Sequence, residues 1–179
     1  MTNTVKTTST PNKTSTQGKD AIGLLKDDHL VVRNLFSDYK KTRSLKKKKA
    51  LVAMICTELN VHMAIEEEIF YPAVKAALKD KLLIPEATVE HSTVKELIGK
   101  LEGVEPGGEL YEARVKVLSE YIQHHIKEEQ NEMFPKAKSA SVDMLALGDR
   151  MRARKADLLA DFFLDGIGTH RHPDKEFLN

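Results

Sequence analysis

Six residues carry the chemistry that this sequence can do: His29, His62, Glu66, His91, His125 and Glu129. Imidazole and carboxylate together suit iron, manganese or zinc better than calcium, which prefers an all-oxygen shell. Four of the six come as two copies of one spacing. His62-Met-Ala-Ile-Glu66 recurs 63 positions later as His125-Ile-Lys-Glu-Glu129. Residues four apart lie on one face of a helix, a turn from each other, so each imidazole and its carboxylate aim at a common point. Burying such groups without a partner is costly. A pair of cations at the point of convergence compensates.

The spacing belongs to a longer repeat. Phe70-Tyr71-Pro72 recurs as Met133-Phe134-Pro135. His29, preceded by Asp28, finds its counterpart 62 positions on in His91, preceded by Glu90. Around that pair, Val32, Arg33, Leu35 and Phe36 match Val94, Lys95, Leu97 and Ile98. Each half is a helix with one central His, then a helix with His-x-x-x-Glu. A single His on an apolar helix face is ordinarily a hydrogen-bonded core residue. Four at repeated positions, two of them with Glu at i+4, are not explained that way.

These residues need helices to position them. Ile22, Leu25, Val32 and Phe36 fall at helical spacing and predict a first helix over 20–42, with His29 in its apolar stripe. Leu51, Ile55, Leu59, Ile65 and Ile69 predict a second over 45–78, with Pro72 ending or kinking it. A third begins near Pro85 and carries Val89, Val94, Leu97, Ile98 and Leu101 inward. Pro106-Gly107-Gly108 marks a turn. A fourth helix follows over 110–134, stopped or kinked by Pro135, and a fifth over 142–164. No segment alternates as a strand does. The expected fold is all-α: an antiparallel up-down-up-down four-helix bundle with an additional C-terminal helix. The expected division is a disordered tail over 1–18, a bundle over 19–140, an accessory helix over 141–165 and a loose tail over 166–179.

Composition agrees. The chain has 179 residues and a formal net charge of +1, so no global field draws it to nucleic acid or an anionic membrane. Cys56 is the single cysteine, which fits a reducing compartment. With no apolar leader and no run long enough to span a bilayer, a cytoplasmic protein is expected.

The set His29, His62-x-x-x-Glu66-x-x-x-Phe70-Tyr71-Pro72, His91 and His125-x-x-x-Glu129 with Phe134-Pro135 resembles the hemerythrin family, in its branch called the HHE cation-binding domain. The resemblance covers roughly residues 20–138. It implies a four-helix bundle around a non-haem di-iron centre, with an oxo or hydroxo bridge between Fe2+/Fe3+ ions. By that resemblance His29 and His62 bind one iron, His91 and His125 the other, and Glu66 and Glu129 bridge them. Manganese and zinc are the alternative metals. The chain departs from the oxygen-carrying hemerythrins at two places. Lys95 stands where those have a second third-helix His, and Glu129, followed by Gln130, stands in place of an Asp five residues after the fourth-helix His. Fewer protein ligands leave an open coordination position, which favours chemistry over simple oxygen carriage. The expected ligand is a small diatomic or peroxide, with O2, peroxide or NO as candidates. The expected activity, if any, is catalase-like or ferroxidase-type; the alternative is a non-catalytic iron or oxygen sensor or store.

Other residues carry weaker expectations. Glu58 and Tyr121, each one turn before a repeat His, are candidate helpers that reach the metal or orient its ligands. Glu67 reads as solvated and His124 as peripheral. The basic residues from Lys40 to Lys49 read as a solvated loop, and His170 and His172 as a surface pair. Cys56 reads as a buried inert thiol, and Met54, Met63, Met133 and Met144 as core filler. The fifth helix packs on the bundle or forms a homodimer surface.

Overall fold

The structure is a computed structural model that describes residues 18–76, 78, 81–139 and 141–167. The tails that carry His170 and His172 lie outside the described residues. Helix α1 spans Ala21–Lys41, and Asp20 caps it by accepting from the Gly23 N–H at 2.7 Å. Helix α2 spans Leu45–Ile65, capped by Ser44 through the Lys47 N–H. It runs through a wider, π-helical turn at Glu66–Phe70 into α3, Tyr71–Lys75. Helix α4 covers Leu83–Gly99 and α5 covers Glu109–Glu128. A second π turn at Glu129–Met133 leads into α6, Phe134–Lys138. Helix α7, Met144–Ile167, starts where Asp143 Oδ1 accepts from the Leu145 and Ala146 N–H groups. No strand occurs among the described residues. The result is the expected antiparallel bundle with an added C-terminal helix.

Pro72 and Pro135 neither end nor sharply break their helices. A proline lacks the N–H and crowds the carbonyl four residues back. Both helices answer by widening the turn just ahead, where the Tyr71 N–H reaches Glu66 O and the Phe134 N–H reaches Glu129 O. The two widened turns start on the two repeat glutamates, and such turns recur at functional sites.

The apolar core falls into two layers with the polar residues between them. Val32, Phe36, Leu59, Ile98, Leu118 and Ile126 belong to one layer, and Leu25, Ile65, Phe70, Val74, Met133 and Phe134 to the other. Each fully buried Leu or Phe contributes about 1.5–3 kcal/mol, and together they offset the cost of the polar layer. Two expected core residues face out instead. Val89 is 67% exposed because it lies two residues, about 200° of helix, from the inward His91. Met54 is exposed beside the buried Ile55. The Lys40–Lys49 stretch is mostly helix rather than loop, and Lys48 donates to Glu112 at 2.7 Å.

Helix α7 packs on α1, α2 and the first π turn, burying Leu147 and Met151. Of the two roles expected for it, the packing role is the one seen. Gly148 is the point of closest approach: a Cβ there would stand 2.8 Å from Ala21 N, Asp20 C and Lys19 O, all backbone atoms that cannot move aside. Gly148→Ala is therefore expected to destabilise the chain by about 1–3 kcal/mol through overpacking. Urea unfolding with an unchanged slope checks this.

Candidate metal centre

All six repeat residues meet at mid-height of the bundle, and all are buried. His29 Nε2 and His62 Nε2 lie 3.2 Å apart, and His91 Nε2 and His125 Nε2 also lie 3.2 Å apart. Glu66 spans the two pairs. Its Oε1 is 3.3 Å from His62 Nε2, and its Oε2 is 3.4 Å from His91 Nε2 and 4.0 Å from His125 Nε2. Glu129 also spans them, with Oε2 3.2 Å from His29 Nε2 and 3.5 Å from His125 Nε2. His29, His62, Glu66 and Glu129 form one potential donor set, and Glu66, His91 and His125 a second that shares Glu66.

These distances fit a cation in each set. Donors about 2.0–2.2 Å from one ion and 90–110° apart stand about 3.0–3.4 Å from each other. Glu66 Oε1 and Glu129 Oε2 are buried and receive no hydrogen bond, although imidazole nitrogens lie close by. Orphaned carboxylate oxygens inside a core are rare and call for an explanation. A bound cation is one.

Burial and charge divide the protonation of the six. Burial, reinforced by the neighbouring imidazoles, lowers His29 and His91 to about 4, so both are neutral at pH 7 with a lone pair to offer. Burial also presses His125 down, but Glu129 and Glu90 outweigh it and the net shift is upward. Burial drives the Glu66 carboxyl well above the usual range, and the charge of Glu129 adds to it. Glu129 is held low against its own burial by His125 and His29.

Each imidazole is held from behind at Nδ1. His125 faces Glu90 Oε2 at 2.7 Å, His91 faces Glu67 Oε1 at 2.9 Å, His29 faces the Gln130 amide at 3.0 Å, and His62 faces Asp28 Oδ2 at 3.5 Å. Glu67 is thus not simply solvated: it joins His91 to Lys95, which donates to both its oxygens at 2.8 and 2.7 Å. Lys95 holds a carboxylate where the oxygen carriers' pattern has a ligand. The acids ahead of His29 and His91 reach across to the His of the next helix, a relation that the shared Asp28/Glu90 position foreshadows.

Tyr71 is the residue that helical spacing hides. Its hydroxyl donates to Glu129 Oε1 at 3.1 Å, and lies 3.4 Å from both Glu66 Oε2 and His91 Nε2. Five residues along an ordinary α-helix is about 140° off the face of Glu66. The widened turn brings Tyr71 back. Its repeat counterpart, Phe134, stacks on His29 with centroids 5.8 Å apart, as Tyr71 stacks on His91 at 5.6 Å. Burial and the two carboxylates push the Tyr71 phenol well above its ordinary pKa.

The two candidate helpers sit elsewhere. Tyr121 is 43% exposed, on a face with Val89 and Thr93. Glu58 lies 3.5 Å from Lys155 rather than in the polar layer. His124 is peripheral as expected, exposed beside Glu128 at 3.1 Å. Cys56 is buried and its thiol is pushed up to about 12 by burial, with Glu102 adding, so it is inert.

Helix α7 reaches this layer through Lys155, which donates to Asp28 Oδ1 at 2.6 Å. Burial raises the Asp28 pKa, but His62 and Lys155 outweigh it and the net shift is downward. A depressed carboxylate contributes stability above its unfolded pKa and loses it as pH falls through the folded one. Lys155→Met is expected to remove the lysine's share of that contribution, about 1–3 kcal/mol for a pair that is not fully buried. Acid unfolding of this variant should begin at higher pH than in the natural chain, as circular dichroism can follow.

A small cavity, about 10 Å³ and so near the size of one water, lies against His29, His62 and His125. Val32, Leu59, Ile122 and Ile126 close it with apolar surface.

Comparison with known proteins agrees with this geometry. The family model of the hemerythrin HHE cation binding domain matches residues 20–137. A crystal structure of a hemerythrin HHE cation binding domain-containing protein from Mycobacterium kansasii superposes with a TM-score of 0.72 at 26% identity, covering 86% of this chain and 96% of that one. A protein of Nostoc sp. described as a DNA nickase is 25% identical over 124 residues, covering 66% of this chain. The chain spans only 35% of that relative's length. The match over most of the described bundle, together with the buried His and Glu layer, settles the kinship: this chain belongs to the hemerythrin HHE cation-binding domain family.

Proposed function

We propose that the chain binds two iron ions, with His29 and His62 on one, His91 and His125 on the other, and Glu66 and Glu129 shared between them. The observation that carries this reading is the pair of equivalent Nε2 couples, each 3.2 Å wide, joined by carboxylates with unsatisfied buried oxygens. A bound iron pair supplies redox chemistry and open coordination positions. O2, peroxide or NO is the ligand class, because the adjoining cavity admits little more than a water-sized molecule and, apart from the imidazoles and Asp28, its walls are apolar. Tyr71 keeps its proton and holds Glu129 and Glu66 in place, so it can give a hydrogen bond to whatever sits between the two positions. On this reading the protein serves in oxidative stress or iron homeostasis, and a cytoplasmic setting suits the lone buried thiol.

Anaerobic iron loading, elemental analysis and stopped-flow spectra with O2 and with peroxide test this. About two irons per chain and rapid gas release from peroxide support an enzyme. A stable, reversible spectral change supports the second reading, a non-catalytic sensor or store. Selective uptake of manganese or zinc moves the assignment to that metal, and no uptake ends it.

A further inference from the structure

The repeat gives every imidazole a counterpart, so differences between the halves can be compared pair by pair. His125 is held by Glu90 at 2.7 Å, whereas His62, its counterpart, stands 3.5 Å from an Asp28 whose other oxygen is taken by Lys155. His91 is held by the Glu67 carboxylate at 2.9 Å, whereas His29 meets only the neutral amide of Gln130 at 3.0 Å. Gln130 occupies the repeat position of Glu67, 63 residues on. Two close carboxylates therefore hold the rings of His91 and His125, while one distant carboxylate and one amide hold those of His29 and His62; the donor count runs the other way, since Glu129 Oε2 stands 3.2 Å from His29 and 3.5 Å from His125, so the bracing acts against it. The lysines do not level this, since Lys95 lies on one side and Lys155 on the other. Nor do the outlying acids, with Glu58 beyond Lys155 and Glu128 beside His124.

A carboxylate that accepts the Nδ1–H makes the opposite nitrogen a stronger donor, and its charge attracts the cation further. Resting on the two-metal reading above, we infer that the two metal positions are unequal: the His91/His125 position fills first and holds its ion tightly, the His29/His62 position is the exchangeable one, and the Glu67/Gln130 difference sets the gap. The small cavity is lined by both imidazoles of the looser position and by His125 of the tighter one, so a small ligand there lies within reach of both.

Anaerobic cobalt(II) titration of the full chain, read by visible absorption and calorimetry, tests the inequality. Two equal positions also fill stepwise, because the first ion repels the second, so variants decide. Gln130→Glu is expected to lower the second-step Kd by about tenfold and leave the first step alone, and Glu67→Gln to raise the first-step Kd by about tenfold. His29→Ala should keep one ion at high affinity, and His91→Ala one ion at low affinity. Circular dichroism checks that each metal-free variant is folded. If a His variant is not, the half-buried Gln130→Glu change decides alone. Equal affinities in the two His variants, or a second step that Gln130→Glu does not move, overturns the inference. Failure of the natural chain to bind cobalt at all overturns the two-metal reading itself.

Discussion

Glu66→Ala is expected to empty both metal positions at once, leaving close to zero ions per chain by elemental analysis. His62→Ala, by contrast, should spare the other position. The reason is geometric. Glu66 Oε1 faces His62 while its Oε2 faces His91 and His125, so one carboxylate serves both pairs. Loss of an outlying partner of a metal ligand already costs about 10–100-fold in affinity, and a shared ligand should cost more at each position. Glu66→Gln is the control for packing. It keeps the volume in a fully buried place and one acceptor oxygen, yet removes the charge that balances two cations. Metal retention near two ions per chain in either variant would show that Glu66 does not bridge.

Stripping the metal from the natural chain is expected to lower its Tm by about 8–16 °C. A ligand present at a thousand times its Kd stabilises by about 4 kcal/mol. For a chain of this size each kcal/mol corresponds to about 2–4 °C. The stripped protein keeps two carboxylate oxygens in its core without a hydrogen bond, and only the neighbouring imidazoles offset that desolvation. The gap should narrow toward acid pH. Glu66 must give up its proton to bind a cation, and its carboxyl is held well above the usual range by burial and by Glu129. Differential scanning fluorimetry with and without chelator, at several pH values, reads both effects. Equal Tm values at neutral pH would mean that the polar layer is stable without ions, and a Glu66→Gln chain that still gained Tm from iron would place the metal elsewhere.

The six central residues, the helices that bear them and the bundle were legible in the sequence, because an i+4 spacing has one geometric meaning on a helix and the repeat states it twice. Local chemistry sufficed there: His62 and Glu66, or His125 and Glu129, need nothing from the rest of the chain to share a face. The role of Tyr71 was not legible, since its place depends on the widened turn ahead of Pro72. Of the partners behind the rings, the repeat foreshadowed only the acids Asp28 and Glu90. Gln130 meets His29 across 101 residues and Lys155 meets Asp28 across 127, and no periodicity relates such positions. Sequence by itself determined which side chains converge, because helical period and repetition are properties of the chain. Only the tertiary structure decided how each imidazole is braced, what α7 contributes through Gly148 and Lys155, and how the two halves differ, because those are contacts between surfaces that packing alone brings together.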